Sequence, residues 1–211
     1  NGRQLLEELR TRRLIKPDSL FVVVSGETDQ ATVLGTMEMR PDDYIIKPFS
    51  QRALDNRLQK AWAKRHALSP IYHCLHKKDY RRAIYACQAI IKEKSRYSAF
   101  ALQMMTEFMC KEKQYEAAEA ALNSVLKERD LPWAKLNLAR ALLGQNRLTE
   151  AEKLLKSVIK QQSINTAAMD LLAKVQLAAE QPLVAQETLQ RSIDLSPHSM
   201  KRHQQMIEVA T

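Results

Sequence analysis

The chain has 211 residues, 45% of them hydrophobic and 27% charged, with 33 Lys and Arg against 24 Asp and Glu for a formal charge of +9. This is ordinary globular composition for one or two folded domains, and it excludes a low-complexity or disordered chain. The three cysteines, Cys74, Cys87 and Cys110, form no C-x-x-C pair, no apolar run approaches the roughly 18 residues of a membrane span, and no secretory leader opens the sequence, so a cytoplasmic protein without disulfides is expected.

Up to about residue 68, helical and strand-like periods alternate. "RQLLEELRTRR" places Leu5, Leu6 and Leu9 at helical spacing, and "SLFVVVSG" is a β-branched run too short for a helix, the pattern of a buried parallel strand. "ETDQATVLGTMEM" reads as a helix capped by Thr28 or Asp29, "DYIIK" as a second strand, and "SQRALDNRLQKAWAKRHA" as a helix capped by Ser50. The order α-β-α-β-α makes residues 1–68 an α/β half-domain. Lys47 is then a charged residue placed where the second strand ends.

The stretches "VVVSGE" and "DDYIIKPF", with a helix between them, resemble the C-terminal half of a response-regulator receiver domain, which is a flavodoxin-like α/β fold. In that family an aspartate on the third strand accepts a phosphoryl group, a Ser or Thr hydroxyl and a lysine contact it, and an aromatic three residues before the lysine reports the change. The resemblance assigns these sensing roles to Ser25, Lys47 and Tyr44, with Pro48, after a cis peptide, turning the chain so that the Lys47 ammonium, a compact point charge, faces the phosphoryl oxygens.

The opening "NG" followed by "RQLLEELR" matches the end of the loop after the third strand, so the phosphoacceptor and the Mg²⁺-binding acidic pair are expected upstream of Asn1. Asp18, Asp42 and Asp43 cannot replace them, because the first precedes a strand and the others begin the last one. Arg40-Pro41 also departs from the Gly-Ala step usual before that strand. The resemblance therefore implies no cofactor for this chain, Mg²⁺ only with the N-terminal half, and a sensor kinase as partner of the intact protein. A receiver cut in this way would leave Phe21 to Val24 as an unpaired apolar edge, so self-association through the remnant is expected.

After residue 68 the strand pattern stops. "DYRRAIYACQAII", "QYEAAEAALNSVL", "RLTEAEKLLKSVI" and "PLVAQETLQRSI" align on Ala83, Ala118, Ala151 and Ala185, at separations of 35, 33 and 34 residues. This spacing resembles that of tetratricopeptide (TPR) repeats, helix-turn-helix units stacked into a solenoid. The small residue lets the first helix of a unit cross closely, while Tyr80, Tyr115 and Leu148 fill the gap beside the turn. In the first helices Leu138-Ala139 and Leu172-Ala173 fit the family's large-small pair, and Met105-Thr106 and Pro70-Ile71 fit it less well.

Residues 69–211 are thus expected to form an all-α solenoid of about four units plus the start of a further helix, "HSMKRHQQMIEVAT", which is a polar cap or continues into more repeats. Both ends read as cut from a longer protein. If the resemblance holds, ligand contacts come from the inner face of the first helices, with Asn137 and Arg140 the best-placed polar residues.

The remaining constellations have ordinary readings. Lys77, Lys78, Arg81, Arg82, Lys92, Lys94 and Arg96 face only Asp79 and Glu93, and are read as a solvated helix face whose basic stems cover apolar surface. His73, Cys74 and His76 are two or three neighbours without a further ligand, Met104, Met105 and Met109 are core filling or groove lining, and Trp62 and Trp133 are packing anchors. No G-x-x-x-x-G-K, H-E-x-x-H or G-x-S-x-G is present, so no enzyme activity is expected.

The functional expectation is a signalling adaptor whose solenoid binds a protein segment on its concave face, with neither nucleic acid nor membrane as partner. The alternatives are a nucleic-acid-binding regulator using the basic patch of residues 77–96, and a structural repeat scaffold with a degenerate receiver cap.

Overall fold

In the computed structural model, which describes Leu5, Leu6, Glu8, Leu9, Arg12 and residues 14–210, the β-branched run forms β1 (Val22–Ser25) and the second apolar run forms β2 (Asp43–Ile46). The strands pair in parallel, with Val22 opposite Asp43 and Ser25 opposite Ile46. The crossover between them contains α1 (Gln30–Glu38), whose N-cap is Asp29, accepting from Thr32 N–H. Ser50 caps α2 (Gln51–Ala67) by accepting from Ala53 N–H, as its hydroxyl at a helix start suggests. Tyr44 and Ile45 are buried, but Val24 and Ile46 are 43% and 47% exposed, so the strand run is not covered on both faces among the described residues. Leu5, Leu6, Glu8 and Leu9 are helical, Arg12 lies in a turn, and the rest of the expected first helix lies outside the described residues.

From residue 69 onward the helices come in pairs: α3 (Ser69–His76) with α4 (Tyr80–Lys92), α5 (Ser98–Lys111) with α6 (Tyr115–Glu128), α7 (Pro132–Gly144) with α8 (Leu148–Gln161), and α9 (Thr166–Ala178) with α10 (Pro182–Leu195), followed by α11 (Met200–Ala210). The aligned alanines Ala83, Ala118, Ala151 and Ala185 are all fully buried. Each begins a buried stripe at helical spacing: Ala83, Cys87 and Ile90; Ala118 and Leu122; Ala151, Leu155 and Val158; Ala185, Leu189 and Ser192.

The turns inside the pairs keep the same beat. Lys78, Lys113, Asn146 and Glu180 have φ of 56°, 58°, 61° and 58°, and the residue after each sends its N–H back to the last turn of the preceding helix: Asp79 to Cys74 O, Gln114 to Met109 O, Arg147 to Leu142 O and Gln181 to Gln176 O, at 2.8–3.0 Å. This is the Schellman helix stop, repeated four times without a glycine.

The chain divides into two compact units, Asn1–Leu102 and Gln103–Thr211. The pattern changes from strands to helix pairs near residue 68, but the first helix pair belongs to the same unit as the strands, and the division falls within α5. In the second unit the core runs along Met105, Phe108, Leu122, Leu138, Leu155 and Leu172. Its last helix is docked: Met206 and Val209 of α11 pack on Ala173, Ala185 and Leu189, and Arg202, 3% exposed, donates to Asp170 Oδ1 at 2.7 Å.

Candidate functional site

Parallel pairing brings the ends of β1 and β2 together. Lys47 N–H donates to Ser25 O at 2.8 Å, so two of the residues named for phosphoryl sensing are neighbours at the carboxyl ends of the strands. The Ser25 hydroxyl accepts from Glu27 N–H at 3.0 Å, and the Glu27 carboxylate accepts in turn from Thr28 N–H and Asp29 N–H, which folds the loop over itself. Tyr44 is 9% exposed, and its hydroxyl donates to Glu27 O at 3.3 Å, tying the β1–α1 loop to the ring of β2. Lys47 and Pro48 are exposed, and the peptide between them is cis.

Asp42 and Asp43 lie at the other end of β2: Asp42 accepts from Phe21 N–H and from Arg65, and Asp43 holds Arg57 in a two-pronged pair. The Arg57 hydrogen bond is the chief cause holding the Asp43 carboxyl below its ordinary range, against the opposing effect of burial. Among the described residues no group of three or more His, Cys, Asp and Glu could hold a metal ion. His73, beside Cys74, sits 3.2 Å from Asp18, whose carboxyl also accepts from Ser69 at 2.7 Å.

Asn137 and Arg140, the residues named for partner contact, differ in burial. Asn137 is 1% exposed and its amide donates to Thr106 Oγ1 at 2.9 Å and to Gln103 O at 3.2 Å, so it faces the core rather than a ligand. Its carbonyl accepts from Arg140 at 2.7 Å. The result is a half-exposed guanidinium on α7 held by a buried, fully engaged amide. Trp133, Leu136 and Leu143 occupy the same helix at spacings of seven, four and three residues from Arg140 and are also half-exposed. A shallow cleft of about 290 Å³ lies between α9 and α11, lined by Asp170, Lys174, Leu177, Leu189, Gln205 and Glu208.

Two further expectations need correction or refinement. Trp62 is 56% exposed and anchors no core, because α2 buries only Ala61 on the side where its neighbours pack. Met105 and Met109 are core residues, as their spacing suggests, and burial pushes the thiols of Cys87 and Cys110 up to about 12 and about 11, which makes both poor nucleophiles at neutral pH. Arg65 was not singled out by the sequence, yet it joins Pro17 O at 2.9 Å, Asp42 Oδ1 at 3.1 Å and the ring of Tyr72, 3.9 Å away. Partners 48 and 23 residues distant leave no local signal in a sequence.

Helix pairs with a buried alanine in each second helix and a left-handed residue in each turn are similar to tetratricopeptide repeats, and the tetratricopeptide repeat family's model matches residues 111–175. Among solved structures, MamA from Desulfovibrio magneticus RS-1, from residue 41 to its end, is similar in fold, with a TM-score of 0.53 and 20% sequence identity over 69% of this chain and 82% of that one. A double mutant described as MamA RS-1 ArsTM gives the same values. A comparison with curated proteins finds no match. No described helix is long and apolar enough to cross a membrane.

Proposed function

We propose that the chain is a response-regulator-type protein of two-component signal transduction, in which a receiver-derived α/β segment precedes TPR helix pairs that bind a protein partner in the cytoplasm. The observation that carries the receiver part is the corner where Lys47 N–H meets Ser25 O, with the Tyr44 hydroxyl on the adjoining loop. Open α/β sheets bind their ligands at the carboxyl ends of the strands, and that is where these three residues converge. In the intact protein a sensor kinase supplies the phosphoryl group, the Lys47 ammonium pairs with it, and a shift of the β1–α1 loop reaches Tyr44 through Glu27 O. Self-association through the outer edge of β1 belongs to the same reading, and sedimentation of the whole chain beside residues 103–211 tests it.

The interaction part rests on Arg140. A guanidinium already held by Asn137 loses little freedom on pairing with a carboxylate, and the half-exposed Trp133 and Leu136 offer apolar contact beside it. The reading therefore favours an acidic, partly apolar protein segment as occupant. Two measurements test it. Acetyl phosphate or beryllofluoride is expected to leave this chain unmodified, and a stoichiometric aspartyl-phosphate on it would overturn the receiver register. Arrayed peptides carrying a carboxylate next to an apolar side chain are expected to bind, with Arg140→Gln weakening them about tenfold, the worth of one charge-assisted hydrogen bond. Binding indifferent to Arg140→Gln would remove that residue from the interface.

A further inference from the structure

Charge is concentrated in one short part of the chain. Residues 69–102 hold seven Lys and Arg against Asp79 and Glu93, while residues 103–211 hold 14 against 13, so a segment of 34 residues carries +5 of the total +9. In the structure Lys77, Lys78, Arg81, Arg82, Lys92, Lys94 and Arg96 are all exposed, and the Arg96 guanidinium lies over the Tyr97 ring at 4.8 Å. The apolar side of α4 is used up by Ala83, Ile84, Cys87 and Ile90 in the core. Its outer side presents Arg81, Arg82, Tyr85, Gln88, Ala89 and Lys92, with Lys77 and Lys78 in the turn before it and Lys94 and Arg96 after it. Tyr85 is 70% exposed, an aromatic ring left in water among cations. Of the two acids, Asp79 caps α4 by accepting from Arg82 N–H and pairs with the same arginine's side chain, which sets Glu93 against six further cations.

We propose that this face of α4 is a docking surface for single-stranded nucleic acid, RNA or DNA. Phosphates account for the run of exposed cations, which extends along a helix about 20 Å long, the reach of a few nucleotides. The exposed ring selects among polyanions. A base can stack on Tyr85 only when it is unpaired, so a duplex would satisfy the cations and leave the ring unused. An anionic membrane would call for several exposed Leu, Phe or Trp on the same face, and the outer side of α4 has Tyr85 and Ala89 as its only apolar-bearing positions. The surface lies in the first compact unit, and its role is separate from partner binding at Arg140.

The test uses the full 211-residue chain and fluorescein-labelled twelve-nucleotide strands of uridine and of thymidine, followed by anisotropy between about 50 and 200 mM salt. Binding of at least one strand is expected, weakening steeply with salt, and the preferred strand tells RNA from DNA. Joint Lys77→Gln, Lys78→Gln and Arg81→Gln substitution should weaken binding more than tenfold and flatten the salt dependence. Tyr85→Ala should weaken it about tenfold with the salt dependence unchanged, and Tyr85→Phe should restore it. Tyr85 is exposed, so circular dichroism should show these variants folded. The proposal is overturned by absence of salt-dependent binding, by equal affinity for a duplex of the same length, for phosphatidylserine vesicles or for polyglutamate, or by binding that Tyr85→Ala leaves intact.

Discussion

The strand segment and the helix pairs stay folded by different means. Along β2 the neighbouring carboxylates Asp42 and Asp43 each receive a guanidinium from α2, and Arg65 adds a backbone carbonyl and an aromatic ring to its set of partners. Between the paired helices the corresponding contacts are fully buried alanines recurring at the period of the repeat. A two-stranded sheet buries too little apolar surface to be stable alone, so its position depends on a few directional polar bonds. A stack of helix pairs spreads its cohesion over many equivalent apolar crossings, each of which tolerates little change of volume.

The largest expected effect lies on the polar side of this contrast. The side chains of Arg65 and Asp42 are only 12% and 11% exposed, and Arg65→Met would take the guanidinium from a largely buried Asp42 carboxylate that also accepts from Phe21 N–H. Breaking one side of such a pair costs about 3 kcal/mol. Arg57→Met acts on an ion pair whose side chains are 48% and 22% exposed and should cost less than about 1 kcal/mol. Urea unfolding of the two variants measures the difference, and equal costs would show that Arg65 is no more than another surface cation.

On the helical side, Ala118→Leu or Ala151→Leu forces extra volume into a closed crossing and should cost on the order of 1–3 kcal/mol, whereas Glu150→Leu, on the exposed side of the same helix, should cost far less. Gly144→Ala sharpens the same point, because a methyl group there would come 2.2 Å from the Tyr115 ring and would have to displace it. Equal tolerance at Ala151 and Glu150 would break the repeat register.

A smaller effect, of opposite sign, is expected in the turns. Lys113 and Glu180 hold a left-handed backbone at φ 58° that side chains disfavour. Lys113→Gly and Glu180→Gly should each stabilise the chain by about 0.5–1 kcal/mol, a glycine gain that an interior helix position such as Lys153 would turn into a loss. Thermal midpoints of the three variants decide it.

The alanine beat was legible because packing at a repeated crossing leaves a repeated residue. The Schellman turns between the same helices were not, since the position that favours glycine is filled by Lys78, Lys113, Asn146 and Glu180, which share no chemistry a pattern search would align. The strand order and the Ser50 cap followed from local pattern, whereas Ser25 and Lys47 were linked only through the receiver resemblance. Asn137 was placed on the correct helix but assigned outward, because its role depends on Thr106 and Gln103, more than thirty residues earlier in the chain. Trp62 misled for the converse reason: an indole is usually buried, and nothing in its neighbours' sequence says that α2 turns it to solvent.

The smallest expected effect compares an ionic clasp in each unit under acid. Glu119 accepts from Gln145 at 2.7 Å and from Arg147 at 2.7 and 2.9 Å, and these bonds, Gln145 first, hold its carboxyl below the ordinary value of 4.5. Asp43 is held down in the same direction by Arg57 from its ordinary 3.8. A carboxyl whose folded pKa is depressed binds fewer protons folded than unfolded, so its contribution is complete above the unfolded value and disappears as the pH falls through the folded one. Both clasps should therefore be silent between pH 6 and 8 and weaken the fold below about pH 4.5. The side chains are partly exposed, so solvent and salt screen each contribution to a fraction of what the bond count suggests. Thermal midpoints taken from pH 7 down to pH 3 should fall less steeply in Glu119→Gln and in Asp43→Asn than in the parent chain, and 0.5 M salt should narrow the difference. An acid limb of unchanged slope in both variants would show that these carboxylates are ordinary surface groups, and that Arg65 and Asp42 alone carry the ionic part of the contrast.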